Sequence, residues 1–132
     1  MILADSSAWV EYDRATGSAV DLRLRELIGG DADLAVTEPV VMEVVAGAID
    51  DEREVDLRRL LQRFQLLRFD PVIDFDAAAR IYRACRRVGI TPRGMVDCMI
   101  ASVAARHGAA LLAYDADLAR IAGVVGIVLD VG

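Results

Sequence analysis

The chain predicts an α/β fold, a central parallel β-sheet flanked by α-helices. Three observations carry that expectation. Short apolar runs, too brief for helices, alternate with longer stretches of helical periodicity. Carboxylates recur at element ends, and parallel α/β sheets place their ligand sites at the carboxyl ends of strands. The 132 residues suit a single domain, 1–132, with one core and no linker, repeat or low-complexity tract.

Taken in order, Ile2-Leu3-Ala4 reads as a strand ending at Asp5, and Ser6 or Ser7 caps the helix through Ala8-Trp9-Val10. Gly17-Ser18 opens a second helix with Val20, Leu24, Leu27 and Ile28 on one face, closed by Gly29-Gly30. Leu34-Ala35-Val36 is the next strand. Thr37 or Glu38 then caps a helix with Pro39 in its first turn and Val40, Val41, Val44 and Val45 on its apolar face.

A charged helix follows Asp50-Asp51-Glu52 and ends near Leu67, with Arg53, Arg58, Arg59 and Arg63 on a solvated face. Leu66 to Phe69 suggests a third strand, and Asp74 or Asp76 starts a helix carrying Ala78, Ile81, Tyr82 and Cys85. After a loop at Gly89 and Thr91-Pro92-Arg93-Gly94, Met95 to His107 is helical, with Met99, Ile100 and Val103 inward. Ala109 to Tyr114 and Ile127 to Leu129 are the fourth and fifth strands, with Asp117 to Ala122 helical between them.

Composition narrows the chemistry. With 55% hydrophobic and 27% charged residues the chain is globular. No apolar run reaches membrane-spanning length, and the start has no basic region of a signal peptide, so a cytoplasmic protein is expected. Cys85 and Cys98 lack metal-ligand spacing and read as buried reduced thiols. The single histidine, His107, sits before Gly108 at a helix end; one histidine excludes a multi-histidine zinc site. All 15 basic residues are arginine, which removes reactions that need a lysine. A net charge of −6 argues against broad electrostatic capture of nucleic acid, although a bound cation reverses the sign locally.

The carboxylates are the main functional signal. Asp5 and Asp115 end strands and should face one sheet edge. Asp97 falls in the first turn of its helix, where the helix dipole favours an anion. Glu43 lies on the helical side of Val40 and Gly47, and Gly47 leaves space beside it. Asp117 adjoins Asp115. Gathering such groups without a cation raises at least one pKa. A hard divalent cation with oxygen ligands answers that cost and suits phosphodiester chemistry. Separate structural roles for each acid are the alternative.

Asp5-Ser6-Ser7-Ala8-Trp9-Val10, Glu43 within Met42-Glu43-Val44-Val45-Ala46-Gly47, Asp97-Cys98-Met99-Ile100-Ala101 and Asp115-Ala116-Asp117-Leu118, in this order, resemble a PIN domain, nearest to the VapC toxins of VapBC toxin–antitoxin pairs. The likeness spans essentially the whole chain. It implies an endoribonuclease using Mg2+ or Mn2+. Asp5, Glu43, Asp97 and Asp115 match the family's acids, and Asp117 matches a further acid. Ser6 matches a hydroxyl position that orients Asp5 or a metal-bound water, or is a plain helix cap. The chain departs from the pattern at Ala113, where threonine is frequent, and at Leu118, where an aromatic is common.

The expected ligands are Asp5, Asp97, Asp115 and Asp117, with Glu43 holding water. Water would attack the phosphodiester and leave a 5′-phosphate and a 3′-hydroxyl. Arg93 is a candidate phosphate contact. The resemblance further implies an RNA substrate (transfer or ribosomal RNA), a homodimer and a VapB-type antitoxin, with DNA bound only through the antitoxin. A PIN fold that binds RNA or protein without cutting is the alternative. A two-component receiver needs a lysine that the chain lacks. A haloacid-dehalogenase-type phosphatase needs an acid where Ser7 stands.

Overall fold

The computed structural model describes residues 1–130. Four strands form one parallel sheet, β1 (Ile2–Ala4), β2 (Leu34–Val36), β3 (Gln65–Leu66) and β4 (Ala110–Leu112), in the order β3-β2-β1-β4. Successive residues such as Leu3 and Ala4 of β1, Ala35 and Val36 of β2, and Leu111 and Leu112 of β4 are all buried, so both faces of the sheet are covered.

Seven helices supply the cover: α1 (Ser6–Arg14), α2 (Ala19–Gly29), α3 (Glu38–Ala46), α4 (Asp51–Leu61), α5 (Pro71–Arg87), α6 (Met95–His107) and α7 (Ala116–Val125). They pack as two sets, α1 to α4 and α5 to α7. Val20, Leu24 and Leu27 of α2, Val40 and Val44 of α3, and Ile100 and Val103 of α6 enter one continuous core. Ile28, Val41, Val45 and Met99 are only partly buried beside it. Trp9 is buried against the rings of Tyr12 and Phe64. Among the described residues no helix is long and apolar enough to cross a membrane.

Several boundaries differ from the sequence reading. The cap of α1 is Asp5 itself, whose side chain accepts from the Ser7 amide. Helix α4 stops at Leu61, and the third strand is Gln65–Leu66. Helix α5 starts at Pro71 because Asp70 accepts from the amides of Val72 and Ile73, and proline loses nothing in a first turn. The fifth strand reduces to a single parallel bridge between Leu129 and Leu111. Gly108 closes α6 at φ 63°, a left-handed position that costs glycine little. Both cysteines are free and buried, and burial lifts the Cys98 thiol to about 11.

Asp74 ties α5 to α6. It is fully buried and accepts from Ser102 Oγ at 2.6 Å, from Arg106 Nη2 at 2.7 Å and from the Asp70 amide at 2.7 Å. Burial alone would raise its pKa; the Arg106, Ser102 and Asp70 donors outweigh that and hold it below the ordinary carboxylate value. Because Asp74 is near the start of α5 and its partners are near the end of α6, the two helices run antiparallel.

Candidate active site

The strand order reverses between β1 and β4, where a parallel sheet opens a crevice at its carboxyl edge. These neighbouring strands deliver Asp5 and Asp115 to that edge. Asp5 is 2% exposed. Its Oδ2 accepts from the Ser7 amide at 3.1 Å and from Ser7 Oγ at 2.6 Å. Ser7 Oγ in turn accepts from the Tyr114 amide at 2.8 Å, which ties the end of β1 to the turn after β4. The other oxygen of Asp5, Oδ1, is buried without a partner. Burial raises the Asp5 pKa, the Ser7 bonds oppose the rise, and the charge of Glu43 adds to it.

Asp97 stands in the first turn of α6. Burial, followed by the charges of Asp5, Asp115, Glu43 and Asp117, pushes its pKa up to about 7. Hydrogen bonds relate the other acids: Ser6 and Ser7 at the start of α1 serve Glu43 and Asp5, Ser7 also receives the Tyr114 amide next to Asp115, and Arg93 bonds both Asp115 and Asp117.

Their individual settings differ. Glu43 projects from α3, is exposed, and accepts from Ser6 Oγ at 2.5 Å. Ser6 therefore serves Glu43, and the hydroxyl that orients Asp5 is that of Ser7. Asp115 caps α7, its Oδ1 accepting from the Asp117 amide at 2.8 Å and from Arg93 Nη2 at 3.1 Å. Asp117 is 2% exposed; Oδ2 accepts from the Arg93 amide at 3.0 Å and Oδ1 lies 3.6 Å from Arg120 Nη2. Arg93 thus joins the pocket from the loop before α6, anchored by its backbone and paired through its side chain. A Cβ on Gly47 would meet main-chain oxygens of Glu43 and Val44 at 3.6 Å, so this glycine reserves no space for the Glu43 carboxylate. Leu118, in place of an aromatic, is fully buried in the core.

Two residues escaped the sequence reading as parts of the site. Ser7 reads from the sequence as a helix cap and not as a partner of Asp5, although Asp-x-Ser at a helix start does signal a hydroxyl within reach of the carboxylate. Thr37 makes no capping bond. Leu3 pairs with Ala35 in parallel, and Thr37 directly follows β2 as Asp5 directly follows β1, at the same edge of the sheet. Its Oγ1 is buried and unpartnered.

The donor set fits a hard divalent cation. It consists of carboxylate oxygens, one of them buried and unsatisfied, and includes Asp97, whose ionisation is disfavoured by burial and then by the neighbouring acids. Among the described residues no three ligating side chains stand close enough together to enclose an ion. Glu43, Asp115 and Asp117 are each turned to a donor from the protein instead.

A short parallel sheet with acids gathered at its switch point defines a class of acidic-site phosphodiester enzymes. The chain belongs to the PIN domain family, whose model matches residues 2–124. It is 48% identical over 128 residues to Ribonuclease VapC11 of Mycobacterium tuberculosis, covering 96% of each chain. Ribonuclease VapC32 of the same species is 35% identical over 130 residues, covering 98% of this chain and 96% of the relative. The solved structure of VapBC2 from Rickettsia felis, bound to a DNA fragment from its promoter, has a similar fold. It superposes with a TM-score of 0.76 at 18% identity over 98% of both chains.

Proposed function

We propose that this chain is the VapC-type toxin of a type II toxin–antitoxin pair, a metal-dependent endoribonuclease silenced by a VapB-type antitoxin. The observation that carries the reading is 48% identity over nearly the whole chain to a named VapC ribonuclease, and the hydrogen bonds that tie Ser6 to Glu43, Ser7 to Asp5, and Arg93 to Asp115 and Asp117 support it.

Asp5, Asp97 and Asp115 would hold Mg2+ or Mn2+. Such an ion, when bound, neutralises phosphodiester charge and activates water for in-line attack. Ser7 fixes the Asp5 carboxylate, leaving Oδ1 free to act as a ligand. Burial and then the neighbouring acids raise the Asp97 pKa to about 7 in the metal-free chain, so a cation bound there would compete with a proton. Glu43, with one oxygen held by Ser6, orients water. Asp117 adds charge to the pocket and sets the Arg93 loop. Arg93 can exchange Asp115 for a substrate phosphate, since its side chain is 75% exposed.

The substrate is RNA, transfer or ribosomal, cut to a 5′-phosphate and a 3′-hydroxyl. The antitoxin brings DNA binding to the complex, consistent with this chain's charge of −6, and the toxin is a homodimer within it. The test is incubation of structured RNA with the chain and Mg2+ or Mn2+, beside Asp97→Asn. Cleavage by the wild type alone is expected. Equal cleavage by the variant would overturn the mechanism, and a folded wild type inert with every RNA and metal would favour a non-cutting binding module.

A further inference from the structure

The carboxyl end of α5 carries Tyr82, Arg83, Arg86 and Arg87, which together line an open recess of about 390 Å³. The three arginines are exposed. Most other arginines have a carboxylate partner, as Arg80 earlier on the same helix has Asp76 at 2.9 Å; Arg14, Arg59 and Arg63 lack one among the described residues but do not gather at one helix end. Arg83, Arg86 and Arg87 have none among the described residues. A chain of net charge −6 therefore keeps three uncompensated cations on one helix end. The helix dipole favours Arg86 and Arg87 in the last turn. It does not account for Arg83 a turn earlier, nor for the open recess that the three border.

The position of this cluster is fixed by packing. Asp74, near the start of α5, bonds to Ser102 and Arg106 near the end of α6. At about 1.5 Å per residue, Arg86 is about 18 Å along α5 from Asp74, and Asp97 is about 8 Å along α6 from Ser102. Measured from the Asp74–Ser102 bond, the last turn of α5 thus runs about 10 Å past the level of Asp97, beyond the end of α6 that bears it. Cys85, beside Arg86, is raised in pKa by burial and then by the charge of Asp117. The connecting loop runs from Arg87 to Arg93, which already sits on Asp115. The arginine cluster and Arg93 thus stand at the two ends of the loop that joins α5 to α6, with Arg93 on the acidic pocket.

We propose that Arg83, Arg86 and Arg87, with the Tyr82 ring beside them, form a docking surface for the phosphate backbone of the RNA that flanks the cleaved bond. The inference rests on the ribonuclease reading for the identity of the polyanion. Charge complementarity selects the occupant: a recess bordered by three unpaired guanidinium groups and an aromatic ring suits phosphates in series and an unstacked base. The surface also explains how an acidic protein holds a polyanion, since the attraction is local and lies beside the repulsive acids.

The experiment measures binding of a fluorescein-labelled RNA hairpin at fixed Mg2+ across a series of monovalent salt. Asp97→Asn serves as the background so that the probe stays whole. Combined Arg83→Gln, Arg86→Gln and Arg87→Gln should weaken binding about tenfold or more at low salt and flatten the salt slope by about 2, the yield of three phosphate contacts on a single strand. The double variant Arg86→Gln/Arg87→Gln should flatten it by about 1.4. Arg80→Gln, already neutralised by Asp76, should leave the slope unchanged, and circular dichroism should report the native fold for every variant. Equal affinity and slope for the triple variant would overturn the surface while leaving wild-type cleavage, and with it the proposed function, intact. Arginine-dependent binding by a chain whose wild type cuts no RNA would support the surface and sink the nuclease reading alone.

Discussion

Asp97→Asn should make the metal-free protein more stable at pH 8. In the folded chain Asp97 has its pKa at about 7, against an ordinary value of 3.8. Burial contributes most, followed by the charges of Asp5, Asp115, Glu43 and Asp117. A carboxyl group whose pKa is raised by folding is protonated in the native state and ionised in the unfolded state between the two values. Its penalty is therefore absent below the lower value, grows from about pH 4 to about pH 7, and is flat above. Three units at about 1.4 kcal/mol each set a ceiling of about 4 kcal/mol. Solvent in the partly open pocket and relaxation of coupled neighbours reduce the measurable part to about 1–3 kcal/mol. For a domain of this size that is a rise in Tm of about 4–12 °C.

The assay is thermal unfolding of both proteins in EDTA at several pH values, repeated with Mg2+. The variant should unfold at a higher temperature than the wild type at pH 8, with the gap closing towards pH 4. Added Mg2+ should stabilise the wild type by mass action and the variant much less. A variant no more stable than wild type in EDTA at pH 8 would refute the claim that the acids strain one another.

Other outcomes follow from the same geometry. Ser7→Ala removes the hydroxyl that bonds Asp5 at 2.6 Å and receives the Tyr114 amide, so RNA cleavage at fixed Mg2+ should fall about 10–100-fold. Thermal unfolding should show a loss of about 1–3 kcal/mol for the same variant. Asp74→Asn leaves Arg106 without its counter-charge inside the α5–α6 contact, and urea unfolding near neutrality should report a loss of about 3 kcal/mol. Asp74 is held below the ordinary carboxylate value, so its stabilisation is present above pH 4 and lost as pH falls through its folded pKa; the variant should lack that acid limb. Cys98, with its thiol at about 11, and the buried Cys85 should resist iodoacetamide at pH 8 in the native protein and react in urea, as mass spectrometry would show.

Local pattern was enough for much of the fold. β1, β2 and α6 fall where apolar periodicity put them, because a three-residue apolar run flanked by polar caps and a helix closed by His107-Gly108 leave few alternatives. The segment from Leu61 to Asp74 was misread because its residues answer to distant partners. Asp74 looks like a helix start, yet its carboxylate goes to Arg106 and Ser102, and the capping falls to Asp70. The apolar run at Ile127 to Leu129 has strand character but finds only one bridge on the outer side of β4.

The acids followed the same division. Their residue types, order and element ends are properties of the chain itself, since a carboxylate set against an apolar run needs a partner wherever the fold places it. Which hydroxyl serves which acid is not such a property. Ser6 and Ser7 are adjacent, and helix α1 turns them about 100° apart. One therefore meets Glu43 from α3 and the other meets Asp5 and the Tyr114 amide. Likewise Asp5 and Thr37, 32 residues apart in the chain, come to one sheet edge only because β1 and β2 pair in parallel, and Asp74 meets Arg106 only because α5 packs against α6. Sequence determines what a side chain can do; contacts between elements far apart in the chain decide where it does it.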